Sequence, residues 1–222
     1  MSGCRPAAGR LRAAIFLCLI GGAPFSRAQA ADALEASVVD DKGKPVADAV
    51  VFVYDLPGRT FVPPAAPLVM DQVGKEFVPH VLPLLVGSAV SFPNKDDILH
   101  HLYSFSPAKT LDLPLYKGTP TRPIVFDKEG VVKLGCNIHD WMSGVDLVLQ
   151  NPYFAVTDAN GRALLAGLPA GQDFDLAVFH ERLSGSVDAT RRKAPRSGRD
   201  KISWTIKLKP ERRKSRPAPS SP

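Results

Sequence analysis

No stretch of this 222-residue chain sustains a helical period, and that limits its fold more than any other property of the sequence. Short apolar or alternating runs are instead cut by turn residues. Residues 34–39 alternate, Asp40-Asp41-Lys42-Gly43 turns, and residues 49–54 read as a buried strand. Residues 55–67 are proline-rich and make a loop or linker. Strand character returns over 81–92, around Gly87, and over 131–134, which runs straight into Gly135-Cys136. After Asn151-Pro152, residues 153–157, 162–166 and 174–179 are strand-like. They are separated by the turns Asp158-Ala159-Asn160-Gly161 and Leu168-Pro169-Ala170-Gly171, and residues 202–208 alternate as a last strand. An apolar content of 45% is enough to build a core, so the expected class is all-β.

The two opening strands have no partners close by, while residues 153–208 supply several strands of the same turn-rich style. The expected organisation is therefore a discontinuous β-sandwich, residues 33–60 with 151–210, into which residues 64–150 are inserted as a second sandwich. Chain ends that lie close together make such an insertion physically easy. One large sandwich with extra strands is the competing arrangement.

The chemistry concentrates in Cys136-Asn137-Ile138-His139-Asp140-Trp141-Met142, with His100-His101 upstream. Two imidazoles and a thiolate in a plane, with a weaker axial thioether, are the ligand types of a mononuclear blue-copper site cycling between Cu+ and Cu2+. Cys136 and His139 are the expected central ligands and Met142 the axial one, with a carbonyl or Asp140 as alternatives to the thioether. Either His100 or His101 completes the set, but not both, because successive strand residues face opposite sides. Binding requires a deprotonated thiol and neutral imidazoles, so affinity falls in acid.

Arg5, Arg10 and Arg12, an apolar run over 13–23 and Ala28-Gln29-Ala30 read as a signal peptide over residues 1–30, cleaved before Ala31. The apolar run is about eleven residues, short of the ~20 needed to span a bilayer, and no transmembrane segment is expected. Cys4 and Cys18 leave with the leader, so Cys136 is the one thiol of the mature chain. A lone thiol is ordinarily buried and inert, but His139 and Met142 follow this one at once. A dinuclear centre bridged by two thiolates is excluded.

The net charge of +6 is unevenly spread. Residues 191–222 hold twelve basic and two acidic residues, and the body over 31–190 is acidic. Residues 211–222 are expected to be a disordered basic tail able to contact anionic surfaces, and export argues against nucleic acid.

Phe77-Val78-Pro79, Phe92-Pro93-Asn94, the run from Asn94 to His100, Val125-Phe126-Asp127 and the segment from Gly130 to Met142 resemble the cupredoxins, closest to the amicyanin and plastocyanin branch. The resemblance covers about residues 70–150 and implies a Greek-key β-sandwich holding copper. It extends to exported cupredoxin-like proteins of the methylamine utilisation type. In that branch the first histidine ligand follows an asparagine by six residues, which implies His100 and the metal set His100, Cys136, His139 and Met142. The pattern departs at His101, which stands where the branch usually has asparagine. The flanks, with Asp158-Ala159-Asn160-Gly161-Arg162 and Gly167-Leu168-Pro169-Ala170-Gly171, are similar to carboxypeptidase regulatory-like, transthyretin-type sandwiches.

The expected function is periplasmic transfer of single electrons to or from a redox protein such as a cytochrome or dehydrogenase. His139 would be the electron port, ringed by Ile138, Trp141, Leu99 and Leu115. Copper handling without redox cycling, and a structural or interaction role, are the alternatives. The chain is expected not to be an enzyme, since it lacks a Ser-His-Asp arrangement, a phosphate loop or a carboxylate pair with context, and a filled soft site leaves little room for substrate. His80 and His180 read as structural histidines.

Overall fold

The computed structural model describes residues 33–120, 122–168, 173–194 and 201–211. The expected leader, its cleavage site and the tail beyond residue 211 lie outside the described residues. Among those described there is no α-helix, and no helix is long and apolar enough to cross a membrane.

The strands are β1 (Leu34–Asp40), β2 (Val50–Val53), β3 (Leu68–Val69), β4 (Asp71–Val73), β5 (Glu76–Val78), β6 (Val81–Leu85), β7 (Ala89–Ser91), β8 (His100–Ser106) and β9 (Lys109–Tyr116). They continue with β10 (Ile124–Val125), β11 (Gly130–Gly135), β12 (Ser143–Leu149), β13 (Phe154–Val156), β14 (Arg162–Leu165), β15 (Asp175–Phe179), β16 (Arg192–Lys193) and β17 (Lys201–Ile206). The class is all-β, as expected.

Pairing sorts the strands into two sets. The orders β14-β1-β17 and β13-β2-β15-β16 use strands from before residue 54 and after residue 153. The orders β6-β12-β11-β8-β9 and β10-β7-β3, with the β4-β5 hairpin, use only the strands between. β1 runs parallel to β17 and antiparallel to β14, so the first strand is held by two of the last.

Side-chain alternation explains how these sheets stack. All four residues of β2 are buried: Val51 and Val53 face a core shared with Ala36, Val38, Leu165 and Trp204, while Val50 and Phe52 face Val81, Val145, Leu147 and Leu149 of the neighbouring five-stranded sheet. β12 does the same from the other side, sending Val148 into a third core with Phe77, Phe92, Phe126 and Leu134. The result is four layers, whose two middle sheets have no open face where they overlap.

Each fully buried valine or phenylalanine stabilises the stack by about 1.5–3 kcal/mol. Trp204 is buried in the first core and its indole N–H donates to the Thr190 carbonyl at 2.7 Å. Trp204→Ala should cost roughly 3–5 kcal/mol in urea unfolding, and a loss below about 1 kcal/mol would show that this core contributes little.

Candidate metal centre

Alternation along β11 turns Val132, Leu134 and then Cys136 toward the inner core. The chain reverses at once: the Met142 amide donates to the His139 carbonyl at 2.8 Å and the Cys136 amide to the Met142 carbonyl at 3.3 Å. This tight turn swings the His139 ring back over the sulfur. Met142 is buried in the same core as Cys136.

The first histidine arrives from the other direction. Asn94 organises the approach: its Nδ2 donates to the carbonyls of Ile98 at 2.9 Å and Tyr116 at 2.8 Å, while its Oδ1 accepts from the Asp96 amide at 3.0 Å. A register shift between His100 and Leu102 marks the start of β8. His100 is wholly buried there and points at the sulfur, whereas His101 turns outward to Asp112, with Nε2 2.7 Å from Oδ1. Of the two candidates, His100 joins the cluster.

Three donor atoms therefore converge. His100 Nδ1 lies 3.2 Å from His139 Nδ1 and 3.8 Å from Cys136 Sγ, and His139 Nδ1 lies 3.6 Å from that sulfur. Among the described residues this is the one group of three His, Cys, Asp or Glu donors close enough to share an ion. A point equidistant from atoms so spaced lies about 2.1 Å from each, matching metal–imidazole bonds of ~2.0–2.1 Å and approaching metal–thiolate bonds of ~2.3 Å.

The surroundings leave these atoms free to donate. His100 Nε2 lies 2.8 Å from Asp96 Oδ2, which places the ring proton on Nε2 and leaves Nδ1 with its lone pair toward the sulfur. Burial pushes the Asp96 carboxyl upward, but hydrogen bonds from His100, Lys75 and Gly74 outweigh it and hold the group below its ordinary value. The Gly74 and Lys75 amides reach it at 2.6 and 2.8 Å from the tip of the β4-β5 hairpin. His139 is held below its ordinary value by burial first, then by the charges of His100 and Lys75, against the opposing pull of Asp96. It is neutral over a wider pH range than a free imidazole. Asp96 escaped the sequence reading, although its i, i+4 spacing to His100 was visible.

The rim is apolar. Leu99 and Ile138, neighbours of the two histidines, and Leu115 are each about half exposed, and the Trp141 ring sits 5.3 Å from that of His139. His80 and His180 take no part: His80 Nε2 is 3.2 Å from Glu181, and His180 Nδ1 accepts from the Arg182 amide at 3.0 Å.

No family model matches the chain, and no curated protein matches it. Solved structures similar to it are amicyanin and other cupredoxins. A reduced amicyanin mutant is 20% identical, the match covering 39% of this chain and 85% of that one, with a TM-score of 0.35. A purple cupredoxin from Nitrosopumilus maritimus is 24% identical over 37% of this chain and 99% of its own, with a TM-score of 0.33. A copper-containing nitrite reductase from Thermus scotoductus is 23% identical over 52% of this chain and 28% of its own, with a TM-score of 0.37. Similarity this distant assigns no activity.

The nitrite reductase nonetheless corrects one expectation, that the chain is not an enzyme. That inference treated a filled soft site as the whole protein, whereas the matched portion is a fraction of a longer catalytic chain.

Proposed function

We propose that this protein binds one copper ion through His100, Cys136 and His139, with Met142 as axial thioether, and transfers single electrons. The observation carrying this reading is the triangle of Nδ1, Nδ1 and Sγ atoms, whose size suits one ion and whose donor chemistry of two imidazoles and a thiolate favours copper. When bound, copper supplies the one-electron Cu+/Cu2+ couple. The chain's own residues supply the rest. Asp96 orients the His100 ring, the 136–142 turn fixes sulfur and His139 together, and the buried core excludes water from the sulfur. A scaffold that holds its donors in place needs little rearrangement between oxidation states, which favours rapid exchange.

On this reading residues 64–150 are the copper unit, set into a transthyretin-type sandwich of residues 33–60 and 151–210. The mature chain works in the periplasm, delivered there by residues 1–30. The half-exposed Leu99 and Ile138, chain neighbours of His100 and His139, suit a redox protein partner such as a cytochrome or dehydrogenase.

Loading the purified protein with Cu(II) should give one bound equivalent and an intense visible thiolate-to-copper band. A colourless or non-stoichiometric product rejects the proposal. Asp96→Asn should bind Cu(II) about 10–100-fold more weakly in competition with a chelator, because the His100 ring loses its anchor. Equal affinity would show that the carboxylate does not orient the ring.

A further inference from the structure

The two strands that bring His100 and Cys136 together meet at one rung: among the described residues, β11 registers with β8 through the pair Gly135–Tyr103. Since Leu134 and Cys136 face the inner core, position 135 faces out, and there the Tyr103 ring crosses it. A Cβ at position 135 would lie 2.8 Å from both Cζ and the hydroxyl oxygen of Tyr103, closer than real Cβ contacts come. Gly135 is not in the left-handed region, so what a side chain here would meet is the Tyr103 ring, which would have to move aside, and not a constraint of backbone angle. Tyr103 is itself held in a row. Its ring centroid is 5.7 Å from that of His101 and 5.3 Å from that of Phe105, and His101 is tied to Asp112 at 2.7 Å.

We propose that Tyr103 is a positioning residue for the thiolate: seated over Gly135, it clamps the end of β11 to β8 and so sets the distance between Cys136 Sγ and the imidazole of His100. The inference rests on the copper reading of the site, since it assigns the ring a part in regulating the metal–sulfur contact. Cross-strand packing of an aromatic ring over glycine is a way to pin register where the strand offers no side chain of its own. The Gly135-Cys136 end of β11 thus lies between this ring, over Gly135, and the apolar core that takes the Cys136 side chain.

Two readouts test it. In the metal-free protein the rate at which an aromatic disulfide reagent modifies Cys136, measured below the urea concentration that accelerates it, reports local opening of the strand end. Tyr103→Leu and Gly135→Ala should each react at least about tenfold faster than wild type, while Tyr103→Phe, which keeps the ring, stays within about twofold. In the copper-loaded protein, Tyr103→Leu should alter the relative intensities of the thiolate-to-copper bands, and Tyr103→Phe and Phe105→Ser should not. Unchanged rates and bands in Tyr103→Leu and Gly135→Ala overturn the proposal, as does an equal change in Phe105→Ser, which would mark general loosening of the sheet. If the wild type takes up no copper, the electron-transfer reading falls while the thiol rates still decide the clamp.

Discussion

Replacing Cys136 with serine is expected to abolish the visible copper band and stoichiometric Cu(II) binding altogether. The sulfur is one corner of the donor triangle, 3.6 and 3.8 Å from the two imidazole nitrogens, and it is the one thiol among the described residues. A serine hydroxyl keeps its proton at neutral pH and offers a hard, neutral oxygen in place of a soft thiolate, so both charge neutralisation and charge transfer are lost. The fold should survive. Placing a hydroxyl in this buried position costs about 1–3 kcal/mol, which urea unfolding will register as a modest shift. Optical titration with Cu(II) checks the outcome. Retention of the band in Cys136→Ser would mean that the sulfur is not a ligand.

The second large effect concerns a group outside the site. Asp146 lies on β12 with no exposed surface, cross-strand from Val132 and Leu82, and neither carboxylate oxygen has a hydrogen-bond partner. It shares a face with Gly144 and Val148, which places it toward the inner core of the five-stranded sheet. Burial holds it well above the ordinary aspartate value of 3.8, so the folded protein keeps a proton that the unfolded chain releases. The sign follows directly. Asp146 costs nothing through ionisation below pH ~3.8, and stability falls as pH rises from there toward the folded-state value, by about 1.4 kcal/mol per pH unit. Asp146→Asn cannot ionise. Its stability relative to wild type should therefore grow as pH rises above about 4, by up to about that amount per unit, in urea unfolding. Parallel pH profiles for the two proteins would show that Asp146 is already ionised in the fold.

The sequence showed the all-β class because its turns are chemically explicit. Asp40 accepts from the Lys42 and Lys44 amides, and Asp158 from Asn160 and Arg162, so these segments carry their own instructions for reversal. The pairing of Cys136 with His139 was legible for the same reason, being set by one short turn. What escaped depends on distant partners. β12 reads Ser-Gly-Val-Asp-Leu-Val-Leu, with neither clean alternation nor a helical period, because both of its faces are covered. β9 contains Pro114, which argues against a central strand and is tolerated because β9 lies at the sheet edge. The choice of His100 over His101 followed from the cupredoxin resemblance alone, and its physical reason, the facing of the two rings at the start of β8, came only with the structure. Tyr103 over Gly135 could not be seen without the pairing of the strands.

The β4-β5 hairpin contributes no donor atom, yet the centre depends on it. Gly74 and Lys75 both adopt left-handed backbone angles, with φ of 62° and 63°, and their amide hydrogens point the same way, into the Asp96 carboxylate. That carboxylate in turn decides which nitrogen of His100 carries hydrogen. A two-residue bend remote in the chain thereby dictates the tautomer of a buried ring, so the smallest transplantable version of this centre includes a piece of backbone that never touches it.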